Sequence, residues 1–289
     1  MQLAKLSKTV LPIYRDLFKS NWPKYMPSYC VLQHFINRFG QHPEWEEKVK
    51  FLTLKDTLDG TYALIYGPYI CIDSIEAPPY PKLEKLLYNM DFKSDQIFAN
   101  FRDDFRPLVL DLLRIRKLKK TFDVGSKICF FNVDEDYISG IWKSPPAGHH
   151  YASLTIQDLD QVLSTIPNPT PRSIEYLKTV IKYNTTTGLY RNDGLLISWV
   201  MEHDTGVQGN VCVVPEFFRM NFARNVLVEH GLKISRKKPY FPIFTDAVHH
   251  NYKAFNLFSK FNNEWLHNIS SIGFIKEPEQ SYTPAWYHV

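Results

Sequence analysis

The order of apolar segments in the last hundred residues is the feature that most constrains the fold of this chain. Two strand-like runs, residues 186–190 and 195–201, flank Asp193-Gly194, a pair that favours a tight hairpin turn. The further predicted elements are a strand, a helix, a strand, a helix and a last strand, at residues 207–214, 222–230, 240–245, 251–261 and 269–275. Three antiparallel strands followed by alternating helices and strands predict an α/β (α+β) fold, a mixed twisted sheet with flanking helices.

The first half of the chain also alternates strands and helices. Apolar residues at helical spacing predict an amphipathic helix over residues 3–18, whereas residues 29–38 fit either a helix or a strand. The elements predicted next are two strands, two helices and a buried strand, at residues 49–54, 62–72, 82–90, 98–118 and 126–133. This pattern predicts a separate α/β layer.

Loop chemistry between the two halves indicates a linker. Residues 144–150 read Ser-Pro-Pro-Ala-Gly-His-His, a composition typical of loops. We therefore place an N-terminal α/β domain at residues 1–143 and a second domain at residues 144–289. Two helices, at residues 155–163 and 173–181, precede the hairpin of the second domain.

Composition excludes several classes of protein. The 289 residues are 44% hydrophobic, and the four cysteines lie far apart with no C-x-x-C pair, so we expect no disulfide framework and no metal site. A net charge of +4 suits an anionic small molecule but not a nucleic acid, which needs clustered Lys and Arg. No apolar run reaches membrane-spanning length, and none resembles a secretory signal. We expect a cytoplasmic protein that binds neither nucleic acid nor membrane; the basic amphipathic N-terminus keeps a mitochondrial location open.

Three motifs in the second half resemble the GNAT acyltransferase superfamily, and within it the glycine N-acyltransferase-like group. The hairpin ending in Asp204-Thr205-Gly206 is similar to the family's Asp-x-Thr-Gly, and Val214-Pro215-Glu216 to its Leu-Pro-Glu strand end. Residues 251–261 are similar to its Asn-x-x-Ala-x-x-Leu-Tyr-x-Lys helix. The motifs cover residues 151–276. Length and alternation extend the resemblance to a second GNAT-like domain in the N-terminal half.

The resemblance implies transfer of an acyl group from acetyl-CoA or another acyl-CoA to a small amine or amino acid. The family's phosphate loop, Gln/Arg-x-x-Gly-x-Gly/Ala, corresponds in position to residues 218–223; in the family, its backbone N–H groups at a helix start bind the CoA pyrophosphate. Of the motif's defined positions only Ala223 conforms, and Phe218 replaces the Gln or Arg. Asn221 replaces a glycine, and Asn tolerates left-handed backbone best among the other residues. Arg219 and Arg224 flank the loop and can pair with phosphate. The implied cofactor-binding residues are Val213, Val214, Arg219, Met220, Asn221, Phe222, Ala223, Arg224 and Asn251.

Two family positions that carry acid–base chemistry differ in this chain. The glutamate that follows the Thr-Gly turn in glycine N-acyltransferases corresponds to Val207, and the superfamily's general-acid tyrosine corresponds to Phe258. Acyl transfer to an amine still needs a base, besides oxyanion donors that the resemblance places on the backbone near a strand bulge. His203, whose ordinary pKa is about 6.5, and Glu202 are the candidate catalytic residues at the hairpin end.

Two hypotheses therefore stand. The first is an acyl-CoA-dependent N-acyltransferase. The second is a catalytically impaired GNAT-fold protein that acts as a CoA-binding or regulatory module. The acyl chain, the acceptor and the oligomeric state stay open.

Overall fold

The computed structural model describes residues 2–276 except 21, 94, 132–144, 167–168, 239–240 and 262. The described residues divide into two compact units, one within residues 2–127 and 266–276 and the other within residues 128–265. Most of the last described strand therefore belongs to the first unit. The predicted domain boundary at residues 143 and 144 lies outside the described residues and stays a prediction.

The described residues form helices and strands throughout both units. The helices are α1 (Leu11–Leu17), α2 (Met26–Gln41), α3 (Pro81–Tyr88), α4 (Arg106–Ile115), α5 (Leu159–Leu163), α6 (Pro171–Tyr183), α7 (Phe222–Lys237) and α8 (Tyr252–Phe258). The strands are β1 (Leu3–Lys5), β2 (Val49–Leu54), β3 (Tyr62–Tyr66), β4 (Tyr69–Asp73), β5 (Gln96–Arg102), β6 (Leu118–Phe131), β7 (His149–Ala152), β8 (Thr186–Arg191), β9 (Leu196–Glu202), β10 (Val207–Val213), β11 (Ile243–Val248) and β12 (Asn263–Lys276). None of the described helices is long and apolar enough to cross a bilayer.

The first unit is built on a sheet in the order β1-β2-β3-β4-β5-β12, and β6 follows β12. Strands β1 to β4 are antiparallel neighbours, as are β5 and β12, whereas β4 and β5 are parallel. Helix α3 begins at Pro81, where the missing N–H costs nothing. Its leucines recur at helical spacing and pack with those of α4 against the sheet. The buried members include Leu83, Leu86, Leu87, Val109, Leu112, Phe98 and Phe274.

A buried ion pair joins the ends of the parallel strands β4 and β5. Arg102 Nε donates to Asp73 Oδ1 at 3.0 Å, and the two side chains are 6% and 5% exposed. Asp73 also accepts from the Ser28 hydroxyl and the Ser74 N–H, while Arg102 donates to the Ser74 carbonyl at 2.7 Å. The guanidinium lies 4.3 Å from the Phe105 ring centroid. Each charge thus has several partners, which offset the cost of desolvation.

The second unit has the strand order β11-β10-β9-β8-β7, with β10 and β11 parallel and the other pairs antiparallel. Helices α5 and α6 cover one face through an apolar cluster that includes Leu177, Val180, Trp199 and Met201. Helix α7 packs on β8 and β9 from the opposite face and buries Val226, Leu227, His230 and Ile234. The predicted mixed, twisted sheet with flanking helices is confirmed.

Three predicted elements are wrong in detail. Residues 3–5 form a strand paired with β2, and the helix begins only at Leu11. Residues 98–102 belong to β5, because this strand is buried on both faces and lacks the polar alternation that marks an exposed strand. Residues 149–152 of the predicted linker form β7, which pairs with β8. In each case pairing with a distant strand overrides local propensity.

We expect Arg102→Met to destabilise the protein by about 3–5 kcal/mol, because it leaves the Asp73 carboxylate buried without its cation. Arg114→Met is the matched control, since it removes an exposed pair with Asp111, and exposed pairs contribute little to stability. Urea denaturation followed by circular dichroism measures both variants. Equal denaturation midpoints for the two would show that the buried pair does not stabilise the fold.

Candidate functional site

The parallel strands β10 and β11 stay together for two residue pairs and then part. Val207 lies opposite Phe244, and Gln208 lies opposite Thr245. These are the two residue pairs that the described strands β10 and β11 form with each other. Beyond Gln208, β10 continues for five residues to Val213 without a further residue pair to β11. The predicted opening between these strands is therefore present, and no strand of the described residues pairs with this edge of β10 beyond Gln208.

A bulge in β10 lies at the point where the strands part. The register of β10 on β9 passes from Gly209 opposite Met201 to Cys212 opposite Trp199. One residue of β9 therefore stands opposite both Asn210 and Val211, and Asn210 has a positive φ of 52°. Neither residue is paired one-to-one with β9, so the regular ladder is interrupted where β10 parts from β11.

The open edge continues toward the end of β10. The Val214 N–H donates to the Ile197 carbonyl at 2.8 Å, so Val214 is bonded to β9. In an antiparallel ladder the next residue points the other way, and the N–H and C=O of Val213 therefore face the open side. A ligand with amide groups could extend the sheet along this edge.

The loop after β10 ends at the start of α7. Asn221 is the residue before the helix and has φ 62°, the left-handed conformation that the sequence predicts for it. Its side chain does not cap the helix, and the first intrahelical bond runs from the Asn225 N–H to the Asn221 carbonyl. The N–H groups of Phe222, Ala223 and Arg224 therefore have no partner inside the helix, which makes this end an anion site.

The side chains around this loop differ in exposure. Arg219, at φ 67°, is exposed, as are Met220 and Phe218, the last two at 54% and 57%. Arg224 is half-buried, and its guanidinium lies 5.8 Å from the Phe261 ring centroid. Arg219 is thus the cation that can reach a phosphate in solvent, whereas Arg224 is held on an aromatic ring.

His203 is held over the β10 bulge. Its Nδ1 lies 2.9 Å from the Tyr176 hydroxyl of α6, and the two rings are stacked with 4° between their planes. Its Nε2 lies so close to Gly209 that a Cβ there would be 2.6 Å away. Burial lowers the pKa of His203, so the imidazole is neutral at pH 7.

Glu202 lies on the other face of the sheet from His203. Its carboxylate is fully buried and forms an ion pair with Lys238 at the end of α7. His203, in contrast, contacts α6, because successive residues of a strand point to opposite faces. The two candidate catalytic residues are therefore not brought together.

Three further positions have defined surroundings. Val207 is 4% exposed and lies in the sheet, so a glutamate there would be buried. Phe258 is 3% exposed and packs in the interior. Asn251 caps α8 by accepting from the Ala254 N–H at 3.0 Å. Its side-chain oxygen thus bonds the start of its own helix.

Sequence reasoning missed Tyr176 and Gly209. Tyr176 lies 27 residues before His203 and meets it through tertiary packing of α6, which no local pattern reports. Gly209 is an isolated glycine inside a strand pattern, a signal that marks a bulge or a close approach. Among the described residues, no group of three or more His, Cys, Asp or Glu side chains is arranged to hold a metal ion.

Comparison with known proteins defines the fold. No protein-family model and no curated protein matches the sequence. A solved Drosophila protein with 18% identity aligns with a TM-score of 0.83 over 94% of this chain and 98% of its own. A tandem GNAT protein from the clavulanic acid biosynthesis pathway aligns with 11% identity and a TM-score of 0.54, over 96% and 99%. A GCN5-related N-acetyltransferase from Sphaerobacter thermophilus aligns with 10% identity and a TM-score of 0.53, over 98% of this chain and 98% of its own. At these identities the likeness shows the fold, which is that of GNAT proteins.

His230 of α7 gives the second unit a predicted pH dependence. It is fully buried with Nδ1 3.0 Å from the Thr187 hydroxyl, and burial lowers its pKa from 6.5 to about 3. The unfolded chain binds this proton below pH 6.5 and the folded chain does not, so stability is lost as pH falls from 6.5 toward 3. We expect wild type to lose about 2 kcal/mol more than His230→Gln between pH 7 and pH 5.

The exposed His249 supplies the control for this measurement. His249→Gln should keep the wild-type pH dependence, as measured by urea denaturation at each pH. An unchanged pH dependence in His230→Gln would mean that this histidine takes up its proton in the folded protein.

Proposed function

We propose that the protein is an acyl-CoA-dependent N-acyltransferase that acts on a small amine or amino acid, similar to the glycine N-acyltransferase-like group. The observation that supports this most directly is the bulge of β10, which lies at an open strand edge with the neutral His203 ring over it. Under this proposal, backbone N–H groups of the bulge would act as oxyanion donors next to a base, His203.

The described residues fit an acyl-CoA. The uncapped start of α7 and the exposed Arg219 would hold the pyrophosphate. The edge of β10 up to Val213 would pair with the two amides of the pantetheine arm. This placement brings the thioester carbonyl to the N–H groups of Asn210 and Val211.

His203 would act as the general base. When Nδ1–H donates to the Tyr176 oxygen, Nε2 carries the lone pair and faces the bulge. The amine nitrogen attacks the thioester carbon, and the bulge N–H groups stabilise the negative charge on oxygen. His203 takes the proton released from nitrogen, the C–S bond breaks, and the same proton passes to the sulfur, which leaves an amide and free CoA.

Tyr176 would serve as a positioning residue. Its hydroxyl fixes the tautomer and its stacked ring fixes the orientation of His203. Glu202 has no part in this step, because it is paired with Lys238 on the other face of the sheet.

The alternative is a protein that binds CoA without turnover. Val207 and Phe258 favour it, since both are apolar and buried at positions where the family has acid–base side chains. The same phosphate site supports either function, so the experiments below separate binding from transfer.

CoA should stabilise the protein by about 2.7 kcal/mol at a ligand concentration of about 100 times Kd. Asn221→Gly should bind CoA at least as tightly, because it keeps the left-handed backbone and removes a side chain. Asn221→Val should bind about tenfold more weakly, since left-handed backbone costs a branched residue about 1–2 kcal/mol. Thermal shift with a CoA titration measures this series.

Two arginines of the same region provide a matched pair for the phosphate contact. Arg219→Ala should weaken CoA binding, whereas Arg236→Ala, at the far end of α7, should leave it unchanged. The proposed phosphate site fails if millimolar CoA gives no thermal shift, or if Arg236→Ala weakens binding as much as Arg219→Ala.

His203→Gln should lower kcat by about 10²- to 10⁴-fold without changing CoA affinity. Wild-type activity should fall on acidification only below pH 6.5, because burial lowers the pKa of the base. Tyr176→Phe should lower kcat with little change in KM for the amine. Release of free thiol from acetyl-CoA, assayed against amine and amino acid pools, measures the rates. CoA binding with no detectable transfer by wild type would support the alternative.

A further inference from the structure

A layer of buried polar side chains lies between α7 and the sheet of the second unit. Its members come from four strands and the helix, and each is 1% exposed or less: Thr187, Glu202, Gln208, Thr245 and His230. Within the layer the Thr187 hydroxyl lies 3.0 Å from His230 Nδ1, and Glu202 pairs with Lys238 at the end of α7. Burying this much polar surface is costly unless each group is bonded.

The buried side-chain amide of Gln208 is not hydrogen-bonded within the described chain. Neither its Nε2 nor its Oε1 has a hydrogen-bond partner, although the side chain is 1% exposed. Its backbone is well held, since Thr245 Oγ1 donates to its carbonyl at 2.6 Å. His230 Nε2 is likewise buried without a partner. A donor and an acceptor on one amide, both buried and unused, form a site for a group that offers both.

The position of Gln208 relates this amide to the open edge of β10. Gln208 is the last residue of β10 that pairs with β11, and one residue, Gly209, separates it from the bulge at Asn210 and Val211. It stands opposite Glu202 on β9, so its side chain points to the α7 face, away from His203. Two strand residues span about 6.6 Å, so Gln208 lies within two residues of the point where the bulge would hold the thioester carbonyl.

We infer that Gln208 forms the acyl-recognition end of the site and selects a short acyl group that carries a hydroxyl near the thioester. This inference rests on the proposed function. The hydroxyl donates to Oε1 and accepts from Nε2, while the amine approaches from the opposite face, where His203 lies. An apolar acyl chain of the same length leaves both amide atoms unbonded and is disfavoured for that reason.

The test compares two thioesters that differ by one hydroxyl, butanoyl-CoA and 3-hydroxybutanoyl-CoA in both enantiomers, with free CoA as reference. We expect wild type to bind one 3-hydroxybutanoyl enantiomer about tenfold more tightly than butanoyl-CoA. Gln208→Met, which keeps the length of the side chain, should bind butanoyl-CoA at least as well as the hydroxyacyl thioester and should keep its affinity for free CoA. Equal preference in wild type and variant overturns the inference.

The thermal stability of the ligand-free variant is a second readout. An unbonded buried amide destabilises the fold, so Gln208→Met should raise Tm without ligand. A lower Tm, or a variant that does not fold, would show that the amide is bonded and structural, and would overturn the inference. Gln96→Met is the matched control, because Gln96 is also a buried strand glutamine but its Oε1 accepts from the Lys93 N–H at 2.6 Å. It should lower Tm and leave the thioester preference unchanged.

The two proposals fail in different ways. If wild type binds no CoA, the proposed function itself fails. If free CoA binds but the hydroxyl of the acyl group does not increase the affinity for the thioester, the acyltransferase proposal stands and the inference about Gln208 fails.

Discussion

The second unit depends on where the parallel pair of β10 and β11 ends. Two residue pairs hold the strands together, and the bulge at Asn210 and Val211 follows at once. Backbone N–H and C=O groups in a protein interior must be bonded, so an edge that loses its neighbour needs another partner. An extended ligand with amide groups is such a partner. Under the proposed function, the same parting would provide both the place for the ligand and the donors that polarise it.

The first unit also contains a pair of parallel strands, β4 and β5, but there the strand ends are joined by side chains of the protein. Strands β4 and β5 also pair at two positions, Tyr69 with Ile97 and Ile70 with Phe98. Past these pairs, Asp73 and Arg102 join the strand ends through a buried ion pair that further hydrogen bonds satisfy. A charge pair of this kind requires its partners to stay in place. The structure thus shows two internally similar units, of which the first has its strand ends bonded by the protein itself.

Sequence predicts those parts of the second unit that depend on local chemistry. The hairpin at Asp193-Gly194 and the left-handed Asn221 follow from turn and backbone preferences, and both are present. The contact between Tyr176 and His203 depends on how α6 packs, and a strand pattern shows only that a histidine lies near a turn. Glu202 and His203 were both candidate catalytic residues at the hairpin end, but adjacent strand residues face opposite sides of the sheet, so the two side chains are kept apart. In the first unit, β1 and β5 were misassigned because their neighbours lie far away in sequence.

The unbonded amide of Gln208 has a consequence for how this fold balances stability and function. A sequence optimised for stability alone would place an apolar side chain there, since the fold gains nothing from a buried donor and acceptor without partners. Around it Thr187 bonds His230 Nδ1 and Glu202 pairs with Lys238, while His230 Nε2 also has no partner among the described residues. Gln208 differs in that both polar atoms of its side chain are unbonded, which is what the proposed ligand-binding position would produce, because the missing bonds would be made only when the ligand is present. The unbonded amide destabilises the free protein, and a ligand that cannot bond it leaves that destabilisation in place. The amide would therefore select for a ligand that can bond both of its polar atoms.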